Sequence, residues 1–363
     1  SDLGQQEQDE VPEYEIDISD PAKDISLEME LFMDLTKYSR RFEDMAVIDD
    51  AVFLIDSINQ QLLYRKGDEE PRYISEYGQG PDEFTRILQI GEYEDTCWIT
   101  GLSGRGKVAF FSQDGELDST VTVAFPYVRS ISFLQDNMII LGNRPLLPEG
   151  ETRTIEMKNG LEKIEYKPQD HLLYAYDSLQ SYAENPRNYI HSFQPALSQR
   201  FEIDTEYSFC TKWRDLLCVS GGKIYYLYSP LANIEVYNDE YKKIERIFLT
   251  SDEIERNITS LSGGLVIERY EVNGGTGRRF KGVRNSDNVK DMTSEGAYLY
   301  LLAFRITKDG IKYILVKLHA KDKTATVYGL NITSGKRVNS IGYGNGYIYA
   351  LVDWHLVYRA AID

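Results

Sequence analysis

The sequence predicts an all-β chain: a β-propeller of about six four-stranded antiparallel blades, closed by an N-terminal strand pairing in the last blade. Three observations predict it. Short runs rich in Tyr, Phe and β-branched residues recur along the chain, each bounded by Gly, Asn, Asp or Pro. Several runs share one design, the mark of an internal repeat. One alternating segment near the N-terminus has no blade of its own, while the final repeat runs out of chain after two strands.

Residues 1–10 are polar and acidic and read as a solvated tether ahead of a single propeller domain spanning 11–363. Glu13-Tyr14-Glu15-Ile16-Asp17-Ile18 alternates as a strand does, so residues 13–18 are expected to complete the last blade and cover its exposed edge. Residues 27–37 fit a helix by composition and a strand by alternation, and both stay open. The repeat is clearest in Asp49–Asp56, Ser220–Tyr228 and Gly344–Asp353: a polar or Gly turn, a buried strand, a polar break and a second strand. Units of this kind bury their faces only against neighbours, which favours a ring. The blades are expected at 45–77, 86–127, 129–203, 206–250, 258–330 and 336–363, with insertions near 145–170 and 271–290.

Gly78-Gln79-Gly80-Pro81-Asp82-Glu83-Phe84 stands between the first two units. The reading as a turn is direct: Gly78 and Gly80 permit positive φ, Pro81 fixes the exit direction, and Phe84 anchors the loop between blades. Asp82 or Glu83 could instead contact a ligand. The element, with the preceding Ile74-Ser75-Glu76-Tyr77, resembles the six-bladed NHL/TolB-like propellers of Bacteroidetes, in which Gly-x-Gly-Pro-x-Glu-Phe links the first two blades. That resemblance implies an exported, often lipid-anchored protein of unestablished function. It carries over no catalytic residue.

Composition excludes several function classes. Net charge is −18, which disfavours phosphate backbones and anionic membranes. No run of 18 apolar residues occurs, so no spanning helix is expected. The chain opens at Ser1, so a preceding signal or anchor segment is expected, with the protein in the periplasm or at the cell surface. Cys97 reads as core, and Cys210 and Cys218 flank an expected turn at Arg214-Asp215, bridged or as two thiols. The histidines His171, His191, His319 and His355 have no zinc spacing, and no Gly-x-Ser-x-Gly or Asp-x-Asp-x-Asp-Gly motif occurs. Ser262-Gly263-Gly264 and Asn273-Gly274-Gly275 read as turns.

Propeller ligands gather where loops converge on the channel. The loops between second and third strands carry Asp56, Arg105, Arg144, Tyr228, Arg305 and His355, which are the candidate ligand contacts. The leading expectation is a monomeric, non-catalytic binding or scaffolding module for a protein or glycan, without cofactor. The alternatives are a calcium-dependent hydrolase or lyase, with carboxylates from separate blades at the central channel, and a purely structural domain. Fold cannot choose among them.

Overall fold

The computed structural model describes residues 11–362 except 104–105, 124–127, 136, 143–154, 159–160, 165–171, 178–183, 185–190, 194–214, 230–231, 253, 255–265, 273–274, 282–287, 309 and 334. Three short strands come first: β1 (Glu13–Asp17), β2 (Ile25–Glu28) and β3 (Glu30–Asp34). Then β4 (Phe42–Ile48), β5 (Ala51–Asp56), β6 (Gln61–Lys66) and β7 (Arg72–Tyr73) form one antiparallel sheet. A second holds β8 (Arg86–Tyr93), β9 (Thr96–Leu102), β10 (Gly106–Ser112) and β11 (Leu117–Val123). In the third, β12 (Val128–Leu134) and β13 (Asn137–Gly142) are separated from β16 (Leu172–Tyr176) and β17 (His191–Phe193) by the hairpin β14 (Ile155–Lys158) and β15 (Leu161–Ile164).

The fourth sheet is β18 (Asp215–Ser220), β19 (Lys223–Tyr228), β20 (Asn233–Tyr237) and β21 (Lys243–Thr250). A second hairpin, β22 (Val266–Val272) and β23 (Gly275–Lys281), precedes β24 (Val289–Glu295), β25 (Tyr298–Thr307), β26 (Gly310–His319) and β27 (Thr324–Asn331). The last sheet is β28 (Val338–Gly344), β29 (Tyr347–Val352), β30 (Leu356–Ala361) and β3. The architecture is all-β and propeller-like, built on four-stranded antiparallel blades. First strands lie side by side in the order β4, β8, β12, β18, β24, β28, and β28 also touches β4.

Burial explains which residues form which strand. Every residue of β5 and β20 is buried, because sheets cover both their faces. Alternation then divides the side chains: Phe53 and Ile55 pack with Ile87, Ile99 and Phe111 of the second sheet, while Val52 and Leu54 pack with Tyr349 and Leu351 of the last. The outer strand β11 (Leu-Asp-Ser-Thr-Val-Thr-Val) is mostly exposed and correspondingly polar. Between β28 and β29, Asn345 and Gly346 take φ +49° and +76°, the left-handed pair that a tight hairpin requires.

The N-terminal segment departs from expectation. Residues 13–17 do not complete the last blade: β1 adds in parallel to β21, with Ile16 opposite Leu249. The strand that enters the last sheet is β3, antiparallel to β30, and it brings Met33 into the core between the last and first sheets. Adjacency along the chain selects it, since β3 directly precedes β4. Residues 27–37 are therefore strand and turn, not helix. β2 likewise adds in parallel to β27, so two sheets carry a fifth strand and are not purely four-stranded and antiparallel.

Arg305 fixes this segment. Its guanidinium donates to Asp24 Oδ2 at 2.5 Å and to the Ile18 carbonyl from Nε at 3.0 Å and from a terminal nitrogen. Both charged side chains are about 5% exposed or less.

Candidate functional site

The Gly-Gln-Gly-Pro element is a built turn. Glu83 Oε2 accepts from the amides of Gln79 and Gly80, both at 2.7 Å. Neither Gly78 nor Gly80 has positive φ, against expectation. Close approach requires glycine instead: a Cβ on Gly80 would lie 2.9 Å from Glu83 Cδ, and one on Gly78 would meet the same carboxylate. Phe84 is fully buried and lies against Gly101. Lys107, which sequence reading did not single out, donates to the carbonyls of Gly80 and Pro81 at 2.8 Å and of Glu83 at 2.5 Å. Burial depresses the basicity of its ammonium, and Asp82 and Glu83 partly restore it.

Of the residues expected at the channel face, Arg105 and Arg144 lie outside the described residues. Asp56 is fully buried; its carboxylate accepts from Ser39 Oγ (2.8 Å), the Ile58 and Asn59 amides (3.0 Å), Asn59 Nδ2 (2.7 Å) and the Tyr73 hydroxyl (2.6 Å). Tyr228 is buried at the end of β19, opposite Asn233. His355 sits in the β29–β30 turn, where its carbonyl accepts from the Leu35 amide at 2.8 Å. Arg305, the remaining residue of that set, is held by Asp24.

Cys97 and Cys218 are free, buried thiols, and burial pushes Cys218 up to about 12. Cys210 and Arg214 lie outside the described residues, as do His171, Ser262–Gly264 and Asn273–Gly274. Asp215 begins a strand rather than closing a turn.

A cavity of about 370 Å³ is lined by residues of β4, β8, β12, β18, β24 and β28. Asp44, Glu92 and Asp291 lie along it. Ser340 Oγ sits 2.7 Å from Asp44 Oδ1 and 2.6 Å from Asp291 Oδ2, which also accepts from the Ile341 amide at 2.8 Å. Glu92 Oε1 accepts from the Val47 amide at 3.3 Å. Burial, reinforced by the charges of Glu295 and Asp291, pushes Glu92 up to about 8. Among the described residues, no group of three His, Cys, Asp or Glu is placed to hold a metal ion.

At one end of this channel a repeated backbone device gathers side chains. The register of β4, β8, β12, β24 and β28 against the following strand slips by one residue near the start of each. The slips fall between Phe42 and Met45, Ile87 and Gln89, Val128 and Ser130, Val289 and Asp291, and Val338 and Ser340. A bulge of this kind re-aims the extra side chain. Glu43, Asp44, Leu88, Lys290 and Asn339, all at these slips, line one pocket of about 330 Å³.

Arg41, Arg337 and Trp354 complete this mouth pocket. Both guanidinium carbons lie 5.2 Å from the Trp354 ring centre. Trp354 and Asp353 hold φ of +69° and +49°, a strained conformation for non-glycine residues. Three backbone bonds impose it: Asp353 N to Arg337 O (2.8 Å), Phe42 N to Trp354 O (2.7 Å) and His355 N to Val352 O (3.2 Å). Asn339 is 8% exposed, and neither atom of its amide has a hydrogen-bond partner.

A sequence signal for the slips exists. Phe42-Glu43-Asp44-Met45, Ile87-Leu88-Gln89-Ile90, Val128-Arg129-Ser130-Ile131, Val289-Lys290-Asp291-Met292 and Val338-Asn339-Ser340-Ile341 share an apolar–variable–polar–apolar pattern. The slip falls at the variable position or beside it, and Asp44, Gln89, Ser130 and Asp291 line the channel.

No family model matches the chain, and no curated protein matches it. Solved structures do. A candidate exported protein of Bacteroides fragilis NCTC 9343 aligns over 97% of this chain and 100% of its own, at 10% identity and a TM-score of 0.51. Virginiamycin B lyase of Staphylococcus aureus aligns over 92% and 99%, at 10% identity and 0.45. PorZ, a surface component of the type-IX secretion system of Porphyromonas gingivalis, aligns over 92% of this chain and 39% of its own, at 11% identity and 0.41. Likeness at these identities concerns the fold alone. Within the described residues no helix is long and apolar enough to cross a membrane.

Proposed function

We propose that this chain is an extracytoplasmic binding or scaffolding β-propeller that takes its partner, a protein or a glycan, at the channel mouth. Its four- and five-stranded sheets are the blades of one closed ring, of the NHL/TolB-like kind found in exported Bacteroidetes proteins. The side-by-side first strands, with β28 against β4, support the ring. The name of the Bacteroides neighbour supports export.

One observation carries the functional reading: bulges in successive sheets bring side chains to a single pocket. Stability alone gives no reason to bury an amide with no partner beside a strained tryptophan turn. A glycan array and a crosslinking pull-down, run on the wild type and on Trp354→Ala, test the reading. The expected result is a ligand retained by the wild type and lost by the variant. Binding undiminished in the variant contradicts the location, and blank results for the wild type in both formats contradict the function.

A further inference from the structure

We infer that the mouth pocket binds an uncharged sugar by two neighbouring ring hydroxyls, one on each end of the Asn339 amide. This rests on the reading of the mouth as the binding site and names the ligand chemistry.

Charge at the pocket is balanced. Its cations are Arg41, Lys290 and Arg337, and its carboxylates are Glu43 and Asp44, with Asp353 beside Arg337. Glu43 is paired to Arg41 at 2.9 Å, and Asp353 Oδ1 accepts from the Arg337 amide at 2.8 Å. Asp44 Oδ1 accepts from the Met45 amide at 3.0 Å and lies 2.7 Å from Ser340 Oγ. Lys290 donates to the Tyr313 hydroxyl at 3.2 Å and lies over the Tyr313 and Phe304 rings. A charged ligand entering here meets like charges as well as opposite ones, so charge selects neither an acid nor a base. The unmet demand in the pocket is a neutral one.

That demand is Asn339. It lines the pocket, is 8% exposed, and has no hydrogen bond at Nδ2 or Oδ1. A buried donor or acceptor left unmade is destabilising, so a ligand that satisfies both ends recovers that free energy on binding. Nδ2 needs an acceptor, and Oδ1, beside it in the same plane, needs a donor. A hydroxyl can play either part. Two staggered hydroxyls on neighbouring ring carbons lie side by side, so one accepts from Nδ2 while the other donates to Oδ1. A single trans peptide unit points its N–H and C=O in opposite directions and meets one end only. An extended peptide residue presents both groups to one side, but its flanking side chains keep the backbone off an amide this deeply buried. Leu88, 39% exposed at the same pocket, offers an apolar surface to the C–H face of a sugar ring. The volume of about 330 Å³ is at the small end of ligand pockets and suits one sugar residue.

Ligand-observed NMR titration of the full chain with the methyl glycosides of glucose, galactose and mannose tests the inference. Their 3-deoxy analogues, which have no neighbouring ring hydroxyls, and sodium glucuronate are the comparators. At least one glycoside is expected to bind, and its 3-deoxy analogue at least roughly tenfold more weakly. Glucuronate, which carries the hydroxyls of glucose on a charged ring, is expected to bind no more tightly than methyl glucoside. Asn339→Leu is expected to lose about tenfold in affinity and Leu88→Ala at least about threefold. Asn339→Leu is expected to melt no lower than the wild type, because it removes an unsatisfied amide; a purely structural Asn339 would lower the melting temperature. Neutral oligosaccharides ending in the same sugar separate a glycan terminus from a free monosaccharide as the source. No glycoside bound, binding undiminished in Asn339→Leu, full binding of the 3-deoxy analogues, or glucuronate roughly tenfold tighter than methyl glucoside would each overturn it. A protein captured by the wild type and lost from Trp354→Ala, with no glycoside bound, would keep the mouth as the binding site and overturn the sugar alone.

Discussion

The Lys107 ammonium lies 4.0 Å from the centre of the Phe84 ring while donating to three carbonyls of the turn that precedes it. A cation in the second sheet thus organises the loop that enters that sheet. Lys107→Met keeps the stem and strands the carbonyls of Gly80, Pro81 and Glu83. The expected loss is about 3 kcal/mol by urea unfolding. Lys107→Arg is expected to recover little, since a planar fork does not replace a compact three-donor ammonium. A loss below 0.5 kcal/mol would show that the turn holds itself.

Gly78 and Glu83 should be energetically coupled. Alanine at 78 displaces the Glu83 carboxylate, and alanine at 83 removes it. Each single variant is expected to lose about 1–2 kcal/mol, with the double variant little worse than either. Additive losses in the cycle would argue against the shared cause.

Much of the fold was legible because strand residues carry it. Runs such as residues 51–55 and Tyr347–Val352 are apolar throughout, and their turns carry Asp49 or Asn345-Gly346 at left-handed φ. Strand partners were not legible. The alternation of Glu13–Asp17 fits any open sheet edge, and only packing decides that β1 joins β21 while β3 reaches β30. The proposed mouth was not legible for a related reason. The sequence candidates stand at the ends of second strands, where Asp56 and Arg305 close internal contacts. Most of the mouth residues stand at the starts of first strands, where one-residue slips decide their direction. Those slips become visible only when the apolar–variable–polar–apolar quartets are aligned. His355 was one residue away from Trp354.

Arg305→Met should release the N-terminal segment. Asp24 would keep only Lys312, at 3.4 Å, with its own side chain 4% exposed. Breaking a buried pair from one side costs about 3–5 kcal/mol. Hydrogen exchange is expected to accelerate across residues 13–28 before any other part of the described chain. Unchanged exchange there would mean that β1 and β2 hold by their ladders alone.

Glu92 sets a pH dependence. Its carboxyl is raised from 4.5 to about 8, so between those values the folded chain holds a proton that the unfolded chain has lost. The sign follows: this group favours folding fully below pH 4.5, and that contribution is lost as pH rises toward 8. Glu92→Gln removes the slope. Its stability relative to the wild type is expected to improve steadily from pH 5 to pH 8 in urea midpoints. Parallel pH profiles for the two proteins would contradict the assignment.

Hydrogen exchange of the wild type, with and without the glycan or protein that it retains in the array or pull-down, shows whether binding takes place at the bulged mouth. Protection is expected at residues 41–45, 86–90, 289–292, 337–341 and 353–356, and none at 78–84. Protection confined to 78–84 or to the outer strands, with the mouth unchanged, would contradict it.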